Sequence, residues 1–422
     1  IINIKLKKGA YEGLNGSTTA SYSQGVYPKA NIGINLNYRK SKLSTNVGYQ
    51  YGYKKNLERM EVTRNFLNSN LLESKFNTVT DYPNPMQNHN INGGVSYDFD
   101  DKNSIHWLGG SKSQLFLKSD NQVNNTFNSI ENSDTKNYNI SSSLTYKHNF
   151  DTSGTKLSIM ADGSTYNLKS IQNFSTQTLD RFSQPLGNSA AFTTRIPTIL
   201  NQFGIKIDFE KNIFWKLKLE TGAKFTSISS DNDIRFLIPK NNGIDSLSSN
   251  YFIYKELISA GYINFAREIG KWKLQAGCRI EYTRTRAENK TLGQPIQRDY
   301  TRPFPSASLN YKYSKNTNFT LQYSRRIDRP DYKSLNPFAY LMDIFTSFQG
   351  NPLLLPQFTH NVEFINSFFQ GALTGTLNYS RTEQFIGDVY VVNPVNLQTK
   401  YTFSNIASFE NMGVALSLYY PV

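Results

Sequence analysis

Trp272-Lys273-Leu274-Gln275-Ala276-Gly277-Cys278-Arg279-Ile280-Glu281-Tyr282 alternates without a slip, and Thr283-Arg284-Thr285-Arg286 follows it. Trp272, Leu274, Ala276, Cys278, Ile280 and Tyr282 fall on one side; Lys273, Gln275, Gly277, Arg279 and Glu281 fall on the other. Side chains of a strand point to opposite faces with a period of two, so the spacing predicts a strand with one apolar and one charged face. Its length matches the roughly 9–11 residues with which a tilted strand crosses a bilayer. The apolar face is expected to meet lipid and the charged face to line a lumen.

The composition suits many such strands. Hydrophobic residues are only 38% of the 422, yet aromatics reach 14%, with 27 Tyr and 28 Phe. Such a chain is short of aliphatic core but rich in rings that settle where apolar and polar phases meet. No apolar run approaches the roughly 18 residues of a spanning helix, which excludes a helical membrane protein. So many aromatic and β-branched residues also exclude disorder as the cause of the low hydrophobicity. The lone cysteine, Cys278, excludes a disulfide framework and a multi-thiolate metal site. A net charge of +14 raises the question of nucleic acid. Lys and Arg are dispersed through strands and turns, however, with no zinc-finger spacing, basic helix or RNA-binding motif. A cation-lined interior is the expectation, with outer-membrane lipid rather than nucleic acid as the partner.

The opening pattern recurs along the chain. Ile32, Ile34, Leu36 and Tyr38 form one stripe, and Val47, Tyr49, Tyr51 and Tyr53 form another. Further copies include Leu157-Ile159-Ala161, Phe203-Ile205-Ile207-Phe209, Ala307-Leu309-Tyr311-Tyr313 and Val414-Leu416-Leu418-Tyr420. About 17 strands are expected on this count. The connections alternate in length: short ones near residues 39–42, 100–103, 149–155, 210–214, 268–271, 314–316 and 369–371, and mostly long, polar ones at 54–87, 119–135, 170–197, 230–250, 287–299 and 326–357. A soluble sandwich has no reason for that parity, and so many long structureless loops are improbable in a compact domain. The predicted fold is all-β: a transmembrane antiparallel up-and-down β-barrel with short periplasmic turns and long extracellular loops. Closure removes the exposed edges that such hairpins otherwise leave.

Several stretches resemble a known family. Ile1-Ile2-Asn3-Ile4-Lys5-Leu6-Lys7-Lys8-Gly9 resembles the last plug strand and exit into the barrel of TonB-dependent receptors. Ala260-Gly261-Tyr262-Ile263-Asn264-Phe265, Gly270-Lys271-Trp272-Lys273-Leu274-Gln275-Ala276-Gly277 and Phe304-Pro305-Ser306-Ala307-Ser308-Leu309 resemble segments of the Bacteroidetes outer-membrane β-barrel receptor family. The most specific block runs from Tyr323-Ser324-Arg325-Arg326-Ile327-Asp328-Arg329-Pro330 through Leu335-Asn336-Pro337-Phe338 and Gly350-Asn351-Pro352 to Pro356-Gln357-Phe358. The resemblance implies an outer-membrane receptor of a Gram-negative cell that binds a nutrient at its extracellular loops for TonB-energised uptake. It implies residues 1–9 as the end of a plug and 10–422 as a barrel domain, C-terminally incomplete against about 22 strands. The implied partners are the plug of the same full-length protein and the TonB complex, with a surface lipoprotein or larger complex as a further candidate. The alternatives are a non-transporting barrel that serves as scaffold or secretion partner and, behind it, a barrel hydrolase.

Candidate binding residues gather where the last long connection begins. Arg325, Arg326 and Arg329 offer guanidinium groups to an anionic ligand or to plug carboxylates. Tyr332, Phe338 and Tyr340 offer rings for stacking. Each has a plainer role, the arginines ordering the loop with its prolines and the rings packing it. Asp98, Asp100 and Asp101 suit calcium by composition but suit turn chemistry better. His89, His106, His148 and His360 have no metal-ligand spacing, and no HExxH or GxSxG motif is present. No metal, no cofactor and no enzymatic activity are expected.

Overall fold

The structure, a computed structural model, describes residues 12–419 apart from 69–70, 125–126, 180–181, 183, 239–242, 292, 342–345 and 394–397. The expectation for residues 1–9 therefore lies outside the described residues. Strands run in chain order as β1 (Gly13–Gln24), β2 (Pro28–Lys40), β3 (Leu43–Asn68), β4 (Leu71–Asp98), β5 (Asn103–Asn124), β6 (Phe127–Asn149), β7 (Lys156–Leu179), β8 (Pro185–Asn212) and β9 (Lys218–Ile238). They continue as β10 (Gly243–Ile269), β11 (Trp272–Asn289), β12 (Gln294–Lys312), β13 (Asn318–Asp328), β14 (Ala339–Leu341), β15 (Thr346–Gln349), β16 (Gln357–Phe368), β17 (Leu373–Val392) and β18 (Thr399–Leu418). Each strand from β1 to β13 pairs antiparallel with the next, β13 then pairs with β16, and β17 and β18 follow. The result is an up-and-down wall, with β14 and β15 set apart as a small hairpin. Among the described residues no ladder joins β1 to β18.

Cross-strand register turns the sequence alternation into bands. Leu274 lies opposite Leu309, which lies opposite Leu321, and the row continues through Phe364 and Leu377 to Val414. Another row links Tyr97, Ile105, Tyr146, Ile159, Ile207 and Ala223. These side chains share the outer face, and Leu274, Ile159, Ile207 and Val414 are all exposed. Water would not tolerate so continuous an apolar band; hydrocarbon would, because neighbouring strands of the wall pair their backbone groups with one another. Rings cluster at its short-turn margin: Tyr97 with Phe99, His148 with Phe150, and Trp272 with Tyr311 at 4.4 Å. This is the girdle expected where a barrel wall leaves the hydrocarbon.

The short turns use ordinary turn chemistry. Gly270 adopts φ 59° in the two-residue connection between β10 and β11, a conformation that costs a glycine little. Asp100 accepts from the backbone N–H groups of Lys102 and Asn103 at 2.7 and 2.8 Å. Those bonds hold its carboxyl below the usual carboxylate range, the Asn103 side chain contributing most. Asp151 does the same between β6 and β7 with Ser153 and Thr155.

The long connections differ from the sequence expectation in kind. Most are not irregular loops but continuations of the strands: β3 has 26 residues and β4 has 28. Beyond the bilayer both faces of a strand are wet, so the apolar alternation that marks a crossing strand stops while backbone pairing continues. At about 3.4 Å per residue these strands reach far past the roughly 30 Å hydrocarbon layer. The 329–356 connection is the exception, because it folds inward.

Candidate functional site

Prolines and one capped turn shape the inward segment. Pro330, Pro337, Pro352 and Pro356 fix φ and withhold donors, which weakens strand pairing along this segment. Asp331 caps the single turn α1 (Tyr332–Leu335), accepting from the Ser334 N–H at 2.8 Å. Leu335 and Leu354 then bury themselves against Phe252 and Tyr254 of β10 and Ala287 of β11. Phe252 and Leu354 are each only 1% exposed, the most complete apolar burial in the lumen. Gly350 passes so close to the carbonyls of Lys333 and Ser334 that a Cβ would sit 2.6 and 2.7 Å from them. That clash gives the Gly350-Asn351-Pro352 motif a physical cause.

Polar groups clamp the segment to the wall. Asn250 Nδ2 donates to Asn336 Oδ1 at 3.0 Å, and Arg298 donates to the Pro352 and Leu354 carbonyls. Asn351 Nδ2 donates to the Phe403 carbonyl at 3.1 Å, while Asn405 both donates to and accepts from Leu355. β15 pairs parallel with β18 over Thr346–Phe348 and Thr399–Tyr401. Arg329 anchors the entry point. Its Nη2 lies 2.7 Å from Glu281 Oε2 and 3.0 Å from Thr283 Oγ1, and its Nε lies 3.2 Å from Glu256. Both carboxylates are under 10% exposed, so this guanidinium is committed to ordering the segment.

The other sequence candidates separate. Arg325 stands over the Phe358 ring at 4.9 Å and donates to the Pro303 carbonyl at 3.2 Å. Phe358 stacks with Phe304 at 6.5 Å, Arg302 stands 5.9 Å from the Phe358 ring, and Arg279 stands 5.2 Å from Phe304. Three arginines from β11, β12 and β13 thus surround two rings from β12 and β16. Of the three, Arg279 pairs with a carboxylate, Glu281 at 3.0 Å; Arg302 and Arg325 donate to backbone carbonyls. The cluster is net positive, with partly exposed arginines set on two buried rings, an arrangement suited to an anionic ligand. Arg326 is exposed opposite Thr359 and joins neither group. Tyr332 packs against the buried cluster, where burial pushes its phenol up to about 12. Phe338 continues a run of rings, Phe174, Phe192 and Phe236, at 6.3 Å from the last. The side chain of Tyr340 lies outside the described residues. Arg279, Arg302, Phe304 and Phe358 were missed by reading sequence alone. The alternation puts Arg279 on the lumenal face, but no local pattern shows that it meets Phe304 across the β11–β12 ladder.

The opposite side of the lumen is bare by comparison. A cavity of about 600 Å³ opens along β3 to β7, lined mainly by small polar residues such as Asn46, Asn92 and Ser143, with Lys112 and Asp162 as its charged groups. The histidines are tied to hydroxyl and amide groups: Tyr49 for His89, Ser96 and Ser104 for His106, Asn103 for His148 and Tyr323 for His360. Among the described residues no three His, Cys, Asp or Glu side chains converge to hold a metal ion.

A sequence profile of the outer membrane protein beta-barrel family matches residues 148–422. The chain belongs to that family. Its members lie in the outer membrane, so the apolar band faces the hydrocarbon of that bilayer. No curated protein sequence matches the chain. Among solved structures, the copper transporter OprC superposes with a TM-score of 0.66 at 11% identity, over 96% of this chain and 59% of that one. The ferric enterobactin receptor PfeA of Pseudomonas aeruginosa, as a mutant with enterobactin bound, gives 0.57 at 13% identity, over 97% and 61%. The siderophore receptor PirA of Acinetobacter baumannii gives 0.56 at 13%, also over 97% and 61%. These likenesses show a shared barrel fold, of which the chain spans about three-fifths of each relative's length.

Proposed function

We propose that the chain forms the barrel of an outer-membrane receptor that captures an anionic nutrient on the extracellular side and admits it by TonB-energised uptake. The observation that carries this reading is the cluster of Arg279, Arg302 and Arg325 around Phe304 and Phe358, beside an ordered segment in the lumen. The long-hairpin end is the extracellular one in this reading, and the family's short periplasmic turns occupy the other. Residues 10–422 are the barrel portion, and residues 1–9 lead from a plug whose contact surface is the small polar wall of β3 to β7. The Bacteroidetes resemblance of residues 258–364 and the receptors and copper transporter of similar fold support transport over catalysis. Arg325 and Arg326 remain the proposed ligand contacts from the sequence, with Tyr340 kept as a proposed stacking residue and Arg329, Tyr332 and Phe338 shaping the segment above them.

Uptake by cells with and without the full-length receptor tests the reading. An Arg302→Gln/Arg325→Gln variant is expected to lower uptake of an anionic ligand by about tenfold or more, the scale of losing one charge-assisted contact. Uptake of every candidate nutrient unchanged by deleting the receptor would instead favour a non-transporting scaffold, and a stable co-purifying partner would then identify its complex.

A further inference from the structure

A second charged feature lies on the outer face of the wall, across β4 to β7. Lys136 of β6 and Lys169 of β7 are direct Cα partners in the ladder, both exposed and on the same face. Like charges placed directly opposite destabilise a strand pair unless something neutralises them. Among the described residues one carboxylate is near: Asp134 lies 3.7 Å from Lys136, with both side chains about half exposed or more, a weak pairing. The two lysines border an open cavity of about 490 Å³ that Gln87, His89, Leu115 and Tyr138 also line.

The height of this cavity is informative. Tyr146, on the same face of β6, belongs to the apolar row near the short-turn margin, and Lys136 lies ten residues farther along the strand. At about 3.4 Å per residue and about 40° of tilt, that is a rise of about 26 Å, against an apolar band about 25 Å tall. Between them lie Leu144 and Ile140, both exposed. Tyr138, with the Tyr49–Tyr51–His89 group, forms an aromatic margin immediately below the lysines. The lysines therefore stand where the headgroups of the outer leaflet begin, with Ile140 and Leu144 of β6 beneath them for acyl chains. On β11 two cations of the outer face are instead paired within the protein: Arg284 with Asp299 at 2.7 Å and Arg286 with Glu288 at 3.3 Å.

We infer that the Lys136–Lys169 groove binds the phosphate of an anionic lipid in the outer leaflet, with the lipid's chains laid along the exposed apolar residues of β4 to β6 beneath it, Ile91, Val95, Trp107, Ile140 and Leu144. Position and unmatched charge argue for a lipid, since a soluble anion has no use for the wall below. The inference needs only the family's place in the outer membrane and is independent of the transport reading.

Native mass spectrometry of the purified full-length protein tests it, with bis-phosphorylated lipid A, its dephosphorylated form and inorganic phosphate as probes. The bis-phosphorylated lipid should be retained, and Lys136→Gln/Lys169→Gln should weaken retention about thirtyfold, from roughly one lysine-sized contribution each. Lys136→Arg/Lys169→Arg should keep it, and Arg284→Gln/Arg286→Gln should leave it unchanged. Equal retention by the glutamine variant, equal retention of dephosphorylated lipid, an equal loss in the Arg284/Arg286 variant, or full displacement by inorganic phosphate would each overturn the inference. Resistance to SDS without heating checks that every variant is folded, and Lys169→Gln alone serves if the double variant is not.

Discussion

The β10–β13 sector and the β4–β7 sector share one wall and one register, yet they treat their charges oppositely. In the first, Arg329 lies between Glu256 and Glu281, Arg284 meets Asp299, and the inserted segment covers the upper lumenal face. In the second, Lys136 faces Lys169 on the outside, and a cavity lined by asparagine, serine and glycine opens on the inside. The first sector is finished in that its central guanidinium is committed to its own buried carboxylates. A sector that leaves its charges unmatched is a surface built for something else: lipid outside and, in the proposed function, a plug inside.

The hardest test of that contrast is to disrupt the finished sector. Arg329→Met should cost about 3–5 kcal/mol in unfolding from lipid vesicles, because two buried carboxylates lose their shared cation. Adding Glu256→Met and Glu281→Met should recover most of it, and a single variant as stable as the parent would remove Arg329 from the structural core. Next in size is the membrane face. Ala276→Lys should cost about 2–4 kcal/mol near mid-bilayer and Gln275→Lys about 0–1, since one faces lipid and the other the lumen. The reverse ranking after refolding would turn the wall inside out.

A smaller effect makes the unfinished sector resemble the finished one. Lys169→Glu places opposite charges across β6 and β7, so it should stabilise the barrel in zwitterionic detergent by roughly 0.2–1 kcal/mol while abolishing retention of the phosphorylated lipid. Smallest is the turn at Asp151, whose carboxyl is held well below the usual range chiefly by the Thr155 hydroxyl and N–H. A depressed pKa stabilises the fold above the unfolded value, about 3.9, and the contribution fades as pH falls through the folded value. Thermal scans of Asp151→Asn and parent should therefore differ by a constant amount from pH 7 to about pH 4 and converge in stronger acid.

What the sequence made legible follows from where water ends. In 272–282 lipid on one face and lumen on the other force an apolar–polar alternation, and that alternation is visible residue by residue. The short turns were legible for a similar reason, since Gly270 and Asp100 act on their immediate neighbours. Beyond the bilayer the same strands carry no such imprint, so the upper parts of β3 and β4 read as loop although their backbones pair to the end. The candidate site was half legible: Arg325 stood in a recognisable block, whereas Arg279 and Arg302 reach it only through the register of three strands. Arg329 was legible as a residue and not as a role, because Glu256 lies 73 positions earlier and no local spacing connects them.

The inserted segment also constrains the order in which the molecule is put together. Nearly every ladder of the wall joins neighbours in sequence, so hairpins can form one after another with little loop-closure entropy at each step. β15 breaks that locality. Its parallel partner is β18, about 50 residues later, and Asn351 and Leu355 likewise bond to Phe403 and Asn405. β15 and the Asn351 and Leu355 contacts can be completed only after β18 has arrived, whereas Arg329, Leu335 and Leu354 can meet β10 and β11 before it. A nascent barrel caught between those steps would hold its inserted segment by one flank alone.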